Sequence, residues 1–503
     1  MSRSVRLGTI LAVVAAAGAV PDRTLAHAIG GTFQLPVPLW LYLAGAAAAV
    51  GASFVVAAVV TRGGADDRYA VTPVDRGVAA VARTGLRLLG LAWWYGAIVV
   101  AFAVGDISPL PAVLLWVGIW VGLPIVAALV GNPWPSLSPF RSTYAGLEWI
   151  GRRFGANRLD LGLRYPPALA RWPAVALLVL GIWAELVLPG SAAATTVGSL
   201  MVAYTVLTLA GMLVFGQIAW LRHAELFEVE LGWFGRIGFI GRQSTSGDLC
   251  AGCDEACPPE RCIDCPECST AADDGERRPV VRPPFAGLTD VGRTGWSDAA
   301  FIVVALAGVT YDGLRETGFG ATLIGWLLPP AIDIFGATLT AFLLVDTVAL
   351  LLIIAAFLAA FSAMLGTTRL AATGPIAPSA GRYAATLLPI AAGYLVAHYL
   401  TLVVQGAIWL PSLIVDPLMS LAPQLDWIPV SFVWYLSVVA IVGGHVAGIV
   451  LAHRAALQDA PARPTLAGVP MVALMIGYTI LSLWIIAQPI VIEPGAAPAA
   501  LGV

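Results

Sequence analysis

Ten runs of mostly apolar residues, each near the roughly 20 that a helix needs to cross a bilayer, recur along this chain. They lie near 37–60, 86–105, 111–131, 173–189, 193–220, 297–312, 337–366, 384–408, 431–452 and 469–489. No other feature constrains the fold as strongly. In hydrocarbon every backbone N–H and C=O must be paired inside the protein, and for runs of this length the helix is the form that does so. The composition agrees. Of 503 residues, 59% are hydrophobic and 11% charged, with mean hydropathy +0.86, whereas soluble domains carry about 25% charge. The expected fold is an all-α polytopic transmembrane bundle of about ten spans, with the lipid bilayer as solvent. A further apolar stretch, 319–336, is interrupted by Pro329-Pro330 and reads as interfacial or re-entrant.

The arginines set the orientation, because cytoplasmic loops collect basic residues. The loop after the first span holds Arg62, Arg68, Arg76 and Arg83. The loop after the third holds Arg141, Arg152, Arg153, Arg158, Arg164 and Arg171. The loop after the fifth holds Arg222, Arg236, Arg242, Arg261, Arg277, Arg278, Arg282 and Arg293. Arg369 and Arg382, then Arg454 and Arg463, follow the seventh and ninth. Opposite loops carry almost none, Arg315 being the main exception. The alternation places both mature ends outside the cell membrane. The chain has no lysine, so a lysine Schiff base is excluded, and a net charge of −3 gives no reason to expect nucleic acid as a partner.

Residues 1–28 have the form of an export signal: Arg3 and Arg6, an apolar run from Leu7 to Val20, and small residues around Ala26 and Ala28. Cleavage after Ala26 in place of Ala28 would make His27 the mature N-terminus, a chelating pair for copper. The remainder divides into a five-span bundle at 29–220, a cytoplasmic cysteine-rich loop at 221–296, and a second five-span bundle at 297–503. Residues 132–172 are aromatic and basic, as expected of an amphipathic segment on the inner leaflet.

All six cysteines, Cys250, Cys253, Cys257, Cys262, Cys265 and Cys268, fall in one stretch spaced C-x2-C-x3-C-x4-C-x2-C-x2-C. Reducing cytoplasm disfavours disulfides. Thiolate pairs two residues apart converge on a single metal, so Cys250/Cys253 with Cys262/Cys265 would complete a tetrahedral site, leaving Cys257 and Cys268 over. The C-x2-C-x2-C run resembles part of a ferredoxin pattern without its fourth ligand. Zinc is therefore the expected metal ahead of an iron–sulfur cluster.

Ionisable groups inside spans are costly and usually functional. Glu185, Asp312, Asp346, His398, Gln405 and His445 lie in or at the ends of the predicted spans. Glu185, Asp312, Asp346 and His398 fall in the outer half or near mid-membrane. They are expected to converge on an outward-facing pocket suited to a divalent metal or to proton transfer. His398 and His445 sit about 20 Å and about 12 Å from the inner face at 1.5 Å per residue, which argues against a shared haem. His445 reads as a core histidine bonded to a carbonyl of the next helix, and His453 as a helix-end cap.

Several short stretches, taken in order, carry a resemblance: Phe33-Gln34-Leu35-Pro36-Val37-Pro38, Gly131-Asn132-Pro133-Trp134, Tyr165-Pro166-Pro167, Trp172-Pro173-Ala174, Trp183-Ala184-Glu185-Leu186, Thr310-Tyr311-Asp312-Gly313, Val396-Ala397-His398-Tyr399 and Gly444-His445-Val446-Ala447-Gly448. Together they resemble polytopic membrane proteins of actinobacteria and halophilic archaea labelled fenitrothion hydrolase. The resemblance covers most of the membrane part and not the cysteine loop. It implies hydrolysis of an organophosphorus triester through a metal-activated water, with Asp312, Asp346 and His398 as available ligands. The polar residues themselves point first to a transport or metal/redox membrane protein. The third reading is a structural or assembly subunit beside partner membrane subunits.

Overall fold

A computed structural model describes residues 33–60, 70–156, 158–244, 263–264, 277–289, 291–292, 294–372, 377–421, 425, 427–460, 462–488 and 491–492. The signal segment, His27 and all six cysteines lie outside the described residues.

The molecule is an all-α bundle. In chain order its main helices are α1 (Leu39–Val60), α2 (Arg76–Ala103), α3 (Leu110–Leu129), α4 (Pro139–Arg153), α5 (Trp172–Leu186), α6 (Ala194–Phe215), α7 (Gln217–His223) and α8 (Leu226–Phe234). These are followed by α9 (Trp296–Arg315), α10 (Gly318–Phe335), α11 (Leu339–Ala371), α12 (Leu388–Val415), α13 (Val430–Asp459) and α14 (Pro464–Ala487). Local chemistry sets the starts. Asp75 caps α2 by accepting from the amides of Gly77 and Val78, and Thr317 caps α10 through Gly320 N–H, each satisfying orphan donors of a first turn. Gly216, at φ 83°, breaks α6 from α7, a backbone angle that side chains with a Cβ resist. Within α3, Val113–Gly122 is π-helical. The widened ladder carries Trp116 and Trp120 toward the α5 side, where they reach Ser191 O and Glu185.

Among the described residues ten helices are long and apolar enough to cross a membrane, in agreement with the expected count, but one member of the set differs. The ten include α10, which runs unbroken through Pro329-Pro330, and omit α5, which has only 15 residues. The contacts at the helix ends explain both. At its start α5 meets α9 through the Arg171–Asp298 ion pair, and at its other end Arg315 of α9 donates to Leu186 O. So α5 covers nearly the whole depth of α9 despite its length. Arg315 also reaches Asp346 of α11, while Trp296 at the start of α9 packs on Phe361 of α11, ring centroids 6.3 Å apart. Helices α9 and α11 are thus antiparallel neighbours, and α10 begins and ends at the same end of the bundle. Its apolar side packs Leu328 and Ala331 against Ala341 and Val345 at the start of α11. That helix, 33 residues long, extends about 50 Å at 1.5 Å per residue and overhangs a hydrocarbon layer of about 30 Å.

The arginine-rich loops gather at the other end. Strand β2 (Thr72–Pro73) from the first of them pairs with β4 (Arg277–Val281), which pairs antiparallel with β3 (Ile240–Ser244). The ends of the cysteine-rich stretch are thereby tied to the loop after α1. Amphipathic α4 buries Phe140 and Tyr144 and leaves Trp149, Ile150 and Phe154 exposed, as its reading as an interfacial segment anticipates. At the far end, β1 (Phe33–Gln34) pairs in parallel with β5 (Val491–Ile492).

Within 221–296, read in the sequence as a loop, the first part is helical. Helix α8 is buried almost throughout, because its apolar residues pack into the bundle core with Trp134 and Phe140. Its first turn is held by Glu225, which accepts from Trp134 Nε1 (2.9 Å), Tyr204 Oη (2.5 Å) and the amides of Phe227 and Glu228. Four donors on one buried carboxylate compensate a group that would otherwise be expensive to dehydrate.

Helices α12 and α13 approach closely on glycine. A Cβ at Gly444 would lie 2.4 Å from Pro389 O, and one at Gly393 2.4 Å from Ala440 O. This is the small-residue contact by which membrane helices gain packing where lipid supplies no hydrophobic drive.

Candidate functional site

Asp312 sits near the C-terminal end of α9, and His398 and Tyr399 in the middle of α12. His398 Nε2 is 3.1 Å from Asp312 Oδ2, and Tyr399 Oη donates to the same oxygen at 2.6 Å. With the carboxylate as acceptor, the imidazole Nε2–H is the donor. The two side chains of the pair are only 5% and 14% exposed, and a carboxylate so enclosed requires these hydrogen bonds to hold its charge. Tyr394, one turn earlier on α12, stacks on His398 with ring centroids 5.8 Å apart. Gly313 makes room for that stack: a Cβ there would lie 2.8 Å from Tyr394 Oη and 2.6 Å from an Ile485 methyl group.

A small cavity of about 40 Å³ lies beside this triad. It is lined by Trp120, Glu185, Glu230 and Tyr399 together with apolar side chains of α5, α9 and α12. Glu185 accepts from Trp120 Nε1 at 2.7 Å, and Glu230 reaches the cavity from buried α8, with no hydrogen-bond partner for its Oε2 among the described residues. Two carboxylates and a phenol therefore share one enclosed space, and the phenol bonds directly to Asp312. The set runs from α8, at the arginine-rich end, toward the middle of α12.

Of the four residues expected to converge, three do. Glu185, Asp312 and His398 belong to one hydrogen-bonded or cavity-sharing set. Asp346 does not join it. Its side chain lies 3.9 Å from Arg315 Nη2 and its backbone O accepts from Tyr311 Oη at 3.2 Å. Asp312 and Arg315, three residues apart on α9, thus point to different neighbours. His445 is buried, as expected, but its Nδ1 bonds Ile441 O of its own helix at 2.8 Å, four residues back, in place of a carbonyl on the next helix. His453 packs edge-on against Phe54 of α1. Gln405 is fully buried in α12.

Four members of the site were missed in the sequence. Tyr399, Tyr394 and Trp120 look like ordinary apolar-face aromatics, since only a partner on another helix distinguishes them. Glu230 fell in a stretch read as a loop, although Leu226–Phe234 is apolar apart from Glu228 and Glu230, and this was the signal available. Among the described residues no group of three or more His, Cys, Asp and Glu side chains has a metal-holding arrangement. The carboxylates are instead distributed, Glu185 to an indole, Asp312 to imidazole and phenol, and Asp346 to a guanidinium. Such a set can pass a proton through short hydrogen-bonded steps. Comparison with family models, curated proteins and solved structures gives no match.

Proposed function

We propose that this chain is a multi-pass transport protein of the cell membrane that moves protons along an intramembrane relay, in coupling to a solute. The observation that carries the reading is the enclosed Asp312–His398–Tyr399 triad with Glu185 and Glu230 across the adjoining cavity. A proton entering from the arginine-rich, cytoplasmic end meets Glu230, then Glu185 across the cavity, then the Tyr399 hydroxyl. Tyr399 donates toward Asp312 and takes the replacement proton from the cavity side. Once protonated, Asp312 passes its proton to the bare nitrogen of the His398 ring, which turns to present it, and the proton already on Nε2 leaves toward the outer face. Intramembrane carboxylate and imidazole chains of this kind are expensive to bury and mark ion pathways. The hydrolase activity implied by the resemblance asks for ligands gathered around one metal-activated water, whereas Glu185, Asp312 and Asp346 turn to an indole, an imidazole with a phenol, and a guanidinium.

Purified protein reconstituted in liposomes with a trapped pH-sensitive dye tests this. An imposed pH gradient should collapse faster than in protein-free vesicles, and Glu185→Gln should slow the collapse at least about 100-fold, the lower end of the range for loss of one proton-transferring group. Flux equal to protein-free vesicles, across a panel of candidate solutes, would remove the reading.

The cysteine loop is proposed to hold a structural metal on the cytoplasmic side, zinc ahead of an iron–sulfur cluster, through Cys250, Cys253, Cys262 and Cys265. Elemental analysis and a visible spectrum of anaerobically purified protein should give one zinc per chain and no visible absorbance, with the zinc lost when the six cysteines are replaced by Ser. Iron with broad visible absorbance would assign an electron-transfer loop instead.

A further inference from the structure

The small cavity beside Tyr399 is lined by two acidic groups and by no arginine or histidine. Glu185 comes from α5, Glu230 from α8 and the Tyr399 hydroxyl from α12, while the rest of the wall is apolar or aromatic. Glu185 accepts from Trp120 Nε1 at 2.7 Å. An indole is a neutral donor, so this bond orients the carboxylate without cancelling its charge. Arg315, at the end of α5, is turned to Leu186 O and to Asp346.

A second observation points to a ligand. Glu230 is 6% exposed, and its Oε2, in the same cavity, has no hydrogen-bond partner among the described residues. A buried carboxylate oxygen in that state is uncommon and costly. A cation between the two carboxylates supplies its partner. Size limits which cation. At about 10 to 15 Å³ for each water, the cavity of about 40 Å³ takes about three water-sized particles. That is room for one small ion with a water or two, and too little for a sugar or an amino acid. Ligand number limits the charge. Divalent ions gather about six or more oxygens, and among the described residues no third His, Cys, Asp or Glu completes a metal-holding group here. A monovalent ion needs less, and the apolar walls strengthen its attraction to both carboxylates.

We infer that this cavity binds a small monovalent cation of sodium's size between Glu185 and Glu230, with the Tyr399 oxygen and water completing its shell. The inference rests on the transport reading in naming the solute that accompanies the protons; the binding itself is measured without any flux.

The test is equilibrium binding of radioactive sodium to the purified full chain in detergent, with choline chloride holding the ionic strength constant. Wild-type protein should bind sodium saturably. Sodium chloride should also raise its melting temperature above that in an equal concentration of choline chloride, since a ligand held only by the folded state stabilises it. Glu230→Gln keeps the shape of the side chain and removes its charge. It should weaken binding at least about 30-fold, the lower end for removing one member of a buried charge pair, and Glu185→Gln should act alike. Asp333→Asn, exposed on α10, should bind as wild type does. Saturable sodium binding without proton flux in vesicles supports the cation site and removes the relay. Proton flux in wild-type protein that neither binds sodium nor melts higher in it supports the relay and overturns the site. Binding unchanged in both glutamine variants, at the wild-type melting temperature, also overturns it.

Discussion

Asp312→Asn is expected to lower proton flux in reconstituted vesicles at least about 100-fold, while the protein still folds. General acid–base groups contribute about 10² to 10⁴ in rate, and Asp312 is the acceptor that both His398 and Tyr399 address. An amide of the same shape can still accept from the tyrosine but cannot take up and release a proton. Asp312→Glu should retain part of the flux. Tyr399→Phe should reduce it by about tenfold, since it removes the hydroxyl between the cavity and the carboxylate and leaves the acid–imidazole pair intact. Asp333→Asn is the matched control, because Asp333 is exposed on α10 and lies on no part of the relay. A flux change in Asp333→Asn as large as that in Asp312→Asn would mean that the assay reports general charge and not the buried carboxylate.

Gly444→Leu is expected to destabilise the bundle by about 3 kcal/mol or more, at the upper end of what overpacking a tight contact costs. The added Cβ alone would come within 2.4 Å of Pro389 O, which is backbone and cannot swing aside, so α12 and α13 must separate. That movement would also shift α12, and with it His398 and Tyr399. Gly443→Leu makes the comparison sharp. The neighbouring glycine has nothing within 4 Å of its Cβ position and is exposed, so leucine there meets open space and gains helix propensity. Thermal denaturation in detergent should place Gly444→Leu well below wild type and Gly443→Leu at or above it. Equal melting temperatures would show that α12 and α13 are not held by this contact.

Much of this architecture can be read from the chain because a bilayer imposes a strict rule: long apolar runs must be helices. The apolar run at 173–189 marked α5 as a span although its helix has only 15 residues, and Pro329-Pro330 set 319–336 aside although α10 runs through them. The contacts of Arg171 and Arg315 at the two ends of α5 supply the physical reason. The polar residues were legible in kind but not in direction. Depth along a helix follows from counting residues, so Asp312 and His398 were both expected in the outer half or near mid-membrane. The face each side chain takes depends on neighbours, so Asp346 could be placed at the right depth and still turn to Arg315. Glu230 was invisible for a different reason. Residues 226–234 are too few to cross a membrane, and a short buried helix in a basic loop carries no periodic signal strong enough to separate it from an amphipathic surface turn. The aromatic members of the site carry no signal of their own, because a buried tyrosine that relays a proton and one that fills space look alike until the partner carboxylate is in view.

Proton passage through the enclosed carboxylates would show in the reversal potential of the current carried by purified protein in a planar bilayer under an imposed pH gradient. A proton path predicts a reversal potential that tracks the gradient, by about 59 mV per pH unit for a single charge, or by a fixed fraction of it when a solute moves with each proton, and the current should vanish in Asp312→Asn. A reversal potential indifferent to pH, or a current equally large in Asp312→Asn, would contradict the account.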